Sequence, residues 1–320
     1  MAHFASARLC IALLLLVAAS LLAVSSARAD TLTMDNGEVR RWQSFAPSRI
    51  KGQTAPLLFV LHGGGGSSKA TRRTFSFDQL ARRKGFRVIY PDGLERHWND
   101  GRDAGSVKLF KGTKPDDVGF LTALAQQMID NGQADPHQIY VIGVSNGGMM
   151  TQRLLCEASQ TFAGGVAIIA GLPTTMNHCQ PTRPGPVLLI NGDADPIIPW
   201  AGGGVGLRRN RGDVLSAMDS FAHWQRVNQC QGPVTRFPMF NRDRNDGTRP
   251  LRHRASDCQS GHAVELIQIK GGGHGLPGKK ARGNAKAKQK RTKLLGPTSN
   301  DFDTRSIAWD FLQTRSKPGH

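Results

Sequence analysis

The run "GVSNG", Gly143 to Gly147, sets one serine among glycines where a β-branched segment, "QIYVIGV", gives way to a helix-like pattern. A serine hydroxyl is a weak nucleophile until a base takes its proton. A sharp strand-to-helix turn can expose such a hydroxyl, and glycines there let neighbouring backbone approach without Cβ clashes. The following helix adds a favourable field for developing negative charge. Three more groups supply what Ser145 needs. "LHGGGGSS", from Leu61, follows an apolar run and offers N–H donors for a tetrahedral oxyanion; Gly64 and Asn146 are the assigned pair. "INGDADPIIPW" carries two carboxylates, Asp193 and Asp195, either of which would orient a histidine, leaving the other as an exposed turn residue. "IKGGGHGLPG" places His274 in a glycine-rich loop, completing the order Ser, Asp, His. A phosphate loop is excluded at the glycine run, because Ser68 precedes Lys69 and Ala70 follows it.

These groups need elements to hold them. "TLTMDNGEVRRWQSF" reads as a hairpin around Asn36-Gly37. "PLLFVLH" at 56–62, "FRVIYPDG" at 86–93, "QIYVIGV", "AGGVAIIAG", "PVLLINGDAD" and "AVELIQIKGGGH" read as strands, several of them apolar enough to be buried on both faces. Helices are expected from Asp117, from Gly147 to about Ser159, around 213–228, and in "SNDFDTRSIAWDFLQ" near the end. Strands alternating with helices predict an α/β fold with a mostly parallel sheet covered on both faces. Sites in such sheets lie beyond the carboxyl ends of the strands, where all four groups fall.

Arg8, the apolar run "LCIALLLLVAASLLAV" and "ARA" at 27–29 predict a cleaved signal peptide over 1–29, leaving no stable membrane span. Residues 30–320 read as one domain, exported to the periplasm or beyond the cell. Four cysteines remain, Cys156, Cys179, Cys230 and Cys258, an even number that suggests disulfides with three possible connectivities. None forms a CxxC pair, which argues against a zinc site. Lys and Arg total 42 against 24 acidic residues, a formal charge of +18. With export and without any nucleic-acid-binding signature, this balance points to anionic surfaces or acidic polymers rather than nucleic acid. Residues 279–293, "KKARGNAKAKQKRTK", hold eight basic residues and no acidic one, and predict a mobile insert beside the histidine loop. "RGD" at 211–213 reads as a chance tripeptide.

With "LHGGGG", "WNDGR" at 98–102, "DDVGFL" at 116–121, "GVSNGGMM", "DADPIIPW" and "GGGHGLPG" in place, the chain resembles the α/β-hydrolase esterases related to poly(3-hydroxybutyrate) depolymerases and feruloyl esterases. The resemblance runs from about Arg41 to the final helix. It implies an α/β-hydrolase fold, carboxylic-ester hydrolysis through an acyl-enzyme, no metal or cofactor, and Asp195 as the acid. Trp98 and Asn99 are candidates for lining the substrate pocket, with burial of Trp98 in the core as the competing reading. His62 and Trp200 are further substrate-binding candidates. The family usually has Trp where this chain has Gly275-Leu276. The expected disulfides are Cys156–Cys179, joining the helix after the serine to the segment after the next strand, and Cys230–Cys258, joining the helix near 228 to the lead-in of the last strand.

Candidate substrates are feruloyl or acetyl esters of plant polysaccharide and soluble hydroxyalkanoate oligomers. The absence of a separate polymer-binding module argues against crystalline polyester as substrate, although depolymerase action on polymer is one alternative. A peptidase would use the same three side chains, but the chain lacks room for the gating domain such enzymes often carry. A non-catalytic surface-binding protein would be marked by a missing member of the three, and none is missing.

Overall fold

A computed structural model describes residues 30–103, 109–278 and 284–315. The leader expected at 1–29 and part of the basic insert, 279–283, lie outside the described residues. The chain opens with β1 (Asp30–Thr33) and β2 (Val39–Phe45), antiparallel across Asn36-Gly37. Next come β3 (Ala55–Leu61), α1 (Ser68–Phe75), α2 (Phe77–Lys84) and β4 (Arg87–Pro91). Then follow α3 (Asp117–Asp130), β5 (Ala134–Val144), α4 (Asn146–Glu157), β6 (Gly164–Ile168) and β7 (Val187–Gly192). A small ribbon, β8 (Gly203–Gly204) with β9 (Asp213–Val214), precedes α5 (Ala217–Val227). The remainder is β10 (Thr235–Pro238), β11 (Arg249–Arg254), β12 (Val264–Lys270), α6 (Ala285–Leu295) and α7 (Thr304–Arg315).

The main sheet has the order β1-β2-β4-β3-β5-β6-β7-β12-β11-β10. From β4 to β12 neighbouring strands are parallel, and an antiparallel pair closes each edge. Side-chain alternation along β3 divides the core. Leu57, Phe59 and Leu61 join the layer containing Leu121 of α3, Met150 of α4 and Trp224 of α5. Leu58 and Val60 face the opposite layer, with Leu80 of α2 and Trp309 of α7. Because both faces are covered, the central strands can be apolar at nearly every position. This is the α/β-hydrolase architecture.

Several elements depart from expectation. The segment around 213–228 begins with a strand turn, and its helix starts at Ala217 behind an N-cap, Ser216, whose hydroxyl accepts from Asp219 N–H at 2.9 Å. Helices α1 and α2 and strands β10 and β11 were not expected, because α1, α2 and β11 are rich in basic residues and β10 is only four residues long. The described portion of the basic insert forms α6, a helix not expected from the sequence, which buries no residue. Ala, Lys, Gln, Arg and Leu are strong helix formers, and the helix is capped by Asn284, whose Oδ1 accepts from Ala287 N–H. Gly296 stops it in a positive-φ conformation. The composition correctly excluded a core but not a helix, which needs none.

Cys156 is bonded to Cys179 and Cys230 to Cys258. The first bridge holds the far end of α4; the second holds the segment just after α5.

Candidate active site

β5 delivers Ser145 into a tight turn. Its backbone sits at φ 55°, ψ −119°, a strained conformation for a residue with a Cβ. The turn is pinned by Ser145 N–H donating to Ile168 O at 2.9 Å. The flanking glycines are required by close approach. A Cβ on Gly143 would strike the Gly147 carbonyl, and one on Gly147 would strike the carbonyls of His62 and Leu61. Strand, helix and glycine loop therefore meet at backbone distance around the serine.

β7 delivers Asp195 and β12 delivers His274. Asp195 is buried; its Oδ1 accepts from Ile197 and Ile198 N–H at 2.8 and 2.9 Å, and its Oδ2 lies 2.7 Å from His274 Nδ1. His274 Nε2 lies 3.1 Å from Ser145 Oγ. With the carboxylate accepting from Nδ1–H, Nε2 is left as the acceptor that faces the hydroxyl. That relay can accept the serine proton and return it. Asp193 is not the exposed turn residue expected from the sequence. Its Oδ1 accepts from Gly271 N–H at 2.7 Å and its Oδ2 from Gln268 Nε2 at 2.9 Å, so it fastens the histidine loop to β7.

The glycine loop after β3 lies over the turn. A Cβ built on Gly63 would come within 3.6 Å of Ser145 Cβ, and one on Gly64 within 3.8 Å of Asn146 Cβ. Gly65 and Gly66 donate to Arg96 O and Gly63 O, which fixes the loop. Among the described residues, the N–H groups of Gly64 and Asn146 have no protein acceptor. Both remain available to an oxyanion beside Ser145.

The side chain of Asn146 has a separate task. Its Oδ1 accepts from Trp98 N–H at 2.8 Å, and its Nδ2 donates to Trp98 O at 2.9 Å and Asp100 Oδ2 at 2.6 Å. Asp100 pairs in turn with buried Arg102 at 2.8 Å. The "WNDGR" segment is thus clamped onto the residue after the serine.

Two substrate-binding expectations are corrected here. His62 is 2% exposed and Trp98 0% exposed, and their polar atoms are committed to the backbone. Gly93 N–H donates to His62 Nε2 at 2.9 Å, so the proton sits on Nδ1 and goes to Gly63 O at 2.8 Å. Burial lowers the His62 pKa and keeps the ring neutral. Trp98 donates its indole N–H to His62 O at 2.9 Å. Both residues brace the glycine loop after β3 and do not face solvent. Asn99 is half-buried, with its amide donating to Pro115 O and its N–H to Asp117 Oδ2. Burial pushes the Asp117 carboxyl up while the fully buried guanidinium of Arg40 pulls it down. Trp200 stays beside the acid, in a small recess shared with Ile169, Gly171, Asp195 and Ile198.

Sequence reasoning missed His97, whose ring lies 3.3 Å from where a Gly64 Cβ would be. It also missed Asn191, which accepts from Ala170 N–H and so ties β7 to the end of β6. Asp100 and Arg102 stand inside a quoted motif; opposite charges two residues apart were the available signal.

A family model described as the prolyl oligopeptidase family matches residues 108–184, which include the Ser145 turn. The chain is 29% identical over 278 residues to a protein named as an esterase, NocK, of Nocardia uniformis subsp. tsuyamanensis, covering 83% of this chain and 76% of that one. It is 26% identical to feruloyl esterase B of Piromyces equi, over 71% of this chain but 41% of that one. Against NocK the match spans about three quarters of the relative; against the feruloyl esterase it spans less than half. The acetyl xylan esterase structure from Aspergillus awamori superposes with a TM-score of 0.54 at 14% identity, over 77% of this chain and 94% of that one. That likeness concerns the fold. Among the described residues no helix is long and apolar enough to cross a membrane. The chain has the α/β-hydrolase fold, and the relatives it is similar to are named as esterases and a feruloyl esterase.

Proposed function

We propose that the protein is an exported serine esterase in which Ser145, His274 and Asp195 form the catalytic triad. Ser145 Oγ attacks the ester carbonyl carbon while its proton passes to His274 Nε2, and the carbonyl oxygen becomes an oxyanion held by Gly64 and Asn146 N–H. Asp195 holds the imidazole in its tautomer and balances the imidazolium charge. The tetrahedral intermediate collapses, the C–O bond to the alcohol breaks, and the leaving alkoxide takes the proton from Nε2. Water then attacks the acyl-enzyme by the same path, with Nε2 receiving its proton and returning it to Ser145 as the carboxylic acid departs. The observation that carries this reading is the pair of bonds at 2.7 and 3.1 Å linking Asp195, His274 and Ser145, with the serine in a strained turn.

Feruloyl and acetyl esters of polysaccharides are the favoured substrates, with soluble hydroxyalkanoate oligomers second. Export follows from the leader read at 1–29 and is supported by two disulfides. The test is hydrolysis of p-nitrophenyl acetate by purified protein and by Ser145→Ala, then of feruloyl, acetyl and 3-hydroxybutyrate esters. The prolyl oligopeptidase match favours a second reading, peptide hydrolysis. Faster turnover of a prolyl p-nitroanilide peptide than of any ester would establish it in place of the first.

A further inference from the structure

Three loops at the site, those of Gly64, Asp195 and His274, are each hydrogen-bonded to a segment bearing exposed cations. Arg96 O accepts from Gly65 N–H in the oxyanion loop, and Arg96 Nε donates to Gly66 O at 3.2 Å. Ile197 O, two residues past Asp195, accepts from Gly206 N–H, which roots the β8–β9 turn with exposed Arg208, Arg209 and Arg211. On the third loop, His274 N–H donates to Leu295 O at 2.6 Å and Gly273 N–H to Pro297 O at 2.7 Å. Leu295 is the last residue of α6, so the basic helix is anchored on the histidine loop itself. Among the described residues, none of these side chains is paired with a carboxylate. Like-charged groups gathered and left unpaired cost stability through repulsion, so a counter-charge that arrives from outside is favoured.

Helical spacing sorts the α6 cations into two stripes. Lys288 and Arg291 line a groove of about 450 Å³ with Asp243 and Asp246 across it. Those two carboxylates are already engaged by Thr248, Asn245 and Asn300. Lys286, Lys290 and Lys293, at i, i+4 and i+7, form a separate exposed stripe roughly 10 Å long on the other side of the helix. A single exposed pair contributes little. A row of cations facing a chain of evenly repeated anions acts collectively.

We propose, resting on the esterase reading, that the preferred substrate is an ester carried on a carboxylate-bearing polysaccharide. The Lys286–Lys290–Lys293 stripe, with the Arg208–Arg211 turn, holds the polyanion so that its acyl groups reach Ser145. The protein should then distinguish O-acetylated polygalacturonate from O-acetylated xylan, which presents the same acyl group on a neutral backbone.

The test compares parent, Lys286→Gln/Lys290→Gln/Lys293→Gln, and Arg208→Gln/Arg209→Gln/Arg211→Gln. For the parent at 20 mM NaCl, kcat/KM on acetylated polygalacturonate should exceed that on acetylated xylan at least tenfold, and the preference should collapse at 500 mM NaCl as charges are screened. Each triple variant should lower the ratio of polygalacturonate to p-nitrophenyl acetate kcat/KM by fivefold or more, chiefly through KM. Retardation of the intact parent and variants in gels containing unesterified polygalacturonate reads the same surface without catalysis. Failure to hydrolyse p-nitrophenyl acetate would reject the esterase reading alone. Active parent with equal, salt-independent kinetics on both polysaccharides, or variants retarded like the parent, would overturn the polyanion assignment.

Discussion

Around Ser145 the supporting groups are buried side chains joined by hydrogen bonds: His62, Trp98, Asn146, Asp100 and Arg102 form one connected set. Around His274 the support is mostly backbone, resting on the end of a helix that buries nothing. The two halves of the proposed catalytic arrangement are therefore held by different physics. The serine half is fixed by hydrogen bonds in low dielectric, where a missing partner is costly. The histidine half is fixed by glycine close packing, where added volume is costly instead.

The largest effects should come from the residues at which the two halves meet. Ser145→Ala or His274→Ala should lower kcat by roughly four orders of magnitude or more, and Asp195→Asn by a comparable factor through a wrong tautomer. Asp193→Asn should cost far less, because it loosens a loop without touching the imidazole. A crippled Asp193→Asn beside a mild Asp195→Asn would reverse that assignment.

Next in size is Cys156→Ser/Cys179→Ser. Opening a loop of sequence separation 23 should cost about 3 kcal/mol of stability, read from denaturant midpoints, and should loosen α4 behind the serine. A loss of under 1 kcal/mol would show that α4 needs no anchor at its far end.

Two substitutions then set one half against the other. Asn146→Ala leaves Trp98 and Asp100 without their partners and should lower both kcat/KM and Tm. Gly273→Ala drives a Cβ into Leu295 O and should lower kcat/KM by roughly a hundredfold through a displaced histidine, with a smaller change in Tm. Equal Tm losses would erase the distinction between the halves.

The smallest effect is on pH. Burial holds His62, His223 and His253 below the ordinary histidine value. The unfolded chain then binds more protons just below about pH 6.5, so stability is full above that value and declines as pH falls through the histidine range. His62→Gln, measured by thermal melts from pH 7.5 to 5, should flatten part of that decline. An unchanged slope would remove His62 from the account.

The sheet was legible because strands buried on both faces, such as β3 and β7, carry almost only apolar side chains. The meeting of Ser145, Asp195 and His274 was legible because each follows a strand, and parallel strands bring their carboxyl ends to one edge. What escaped was whatever depends on depth. Nothing local to His62 or Trp98 says that its ring lies under the glycine loop rather than above it. Asp193 and Asp195 are two residues apart in one turn, and only the partners Gly271 and His274 separate their tasks. The charged helices α1 and α2 are short and bury only a few residues each, while α6 buries none, so its helicity rests on propensity and capping, which composition obscures.

The His274–Ser145 bond joins residues 129 positions apart, and β12, which precedes His274, pairs in parallel with β7 across most of the intervening chain. Contacts of such long range form late, after loop-closure entropy has been overcome. Turnover must therefore be among the last properties a refolding chain regains, behind helix content and burial of the β3–β5 core. A growing or refolding chain stays inert until its C-terminal third has docked. Hydrolytic activity in this molecule is a readout of completed assembly.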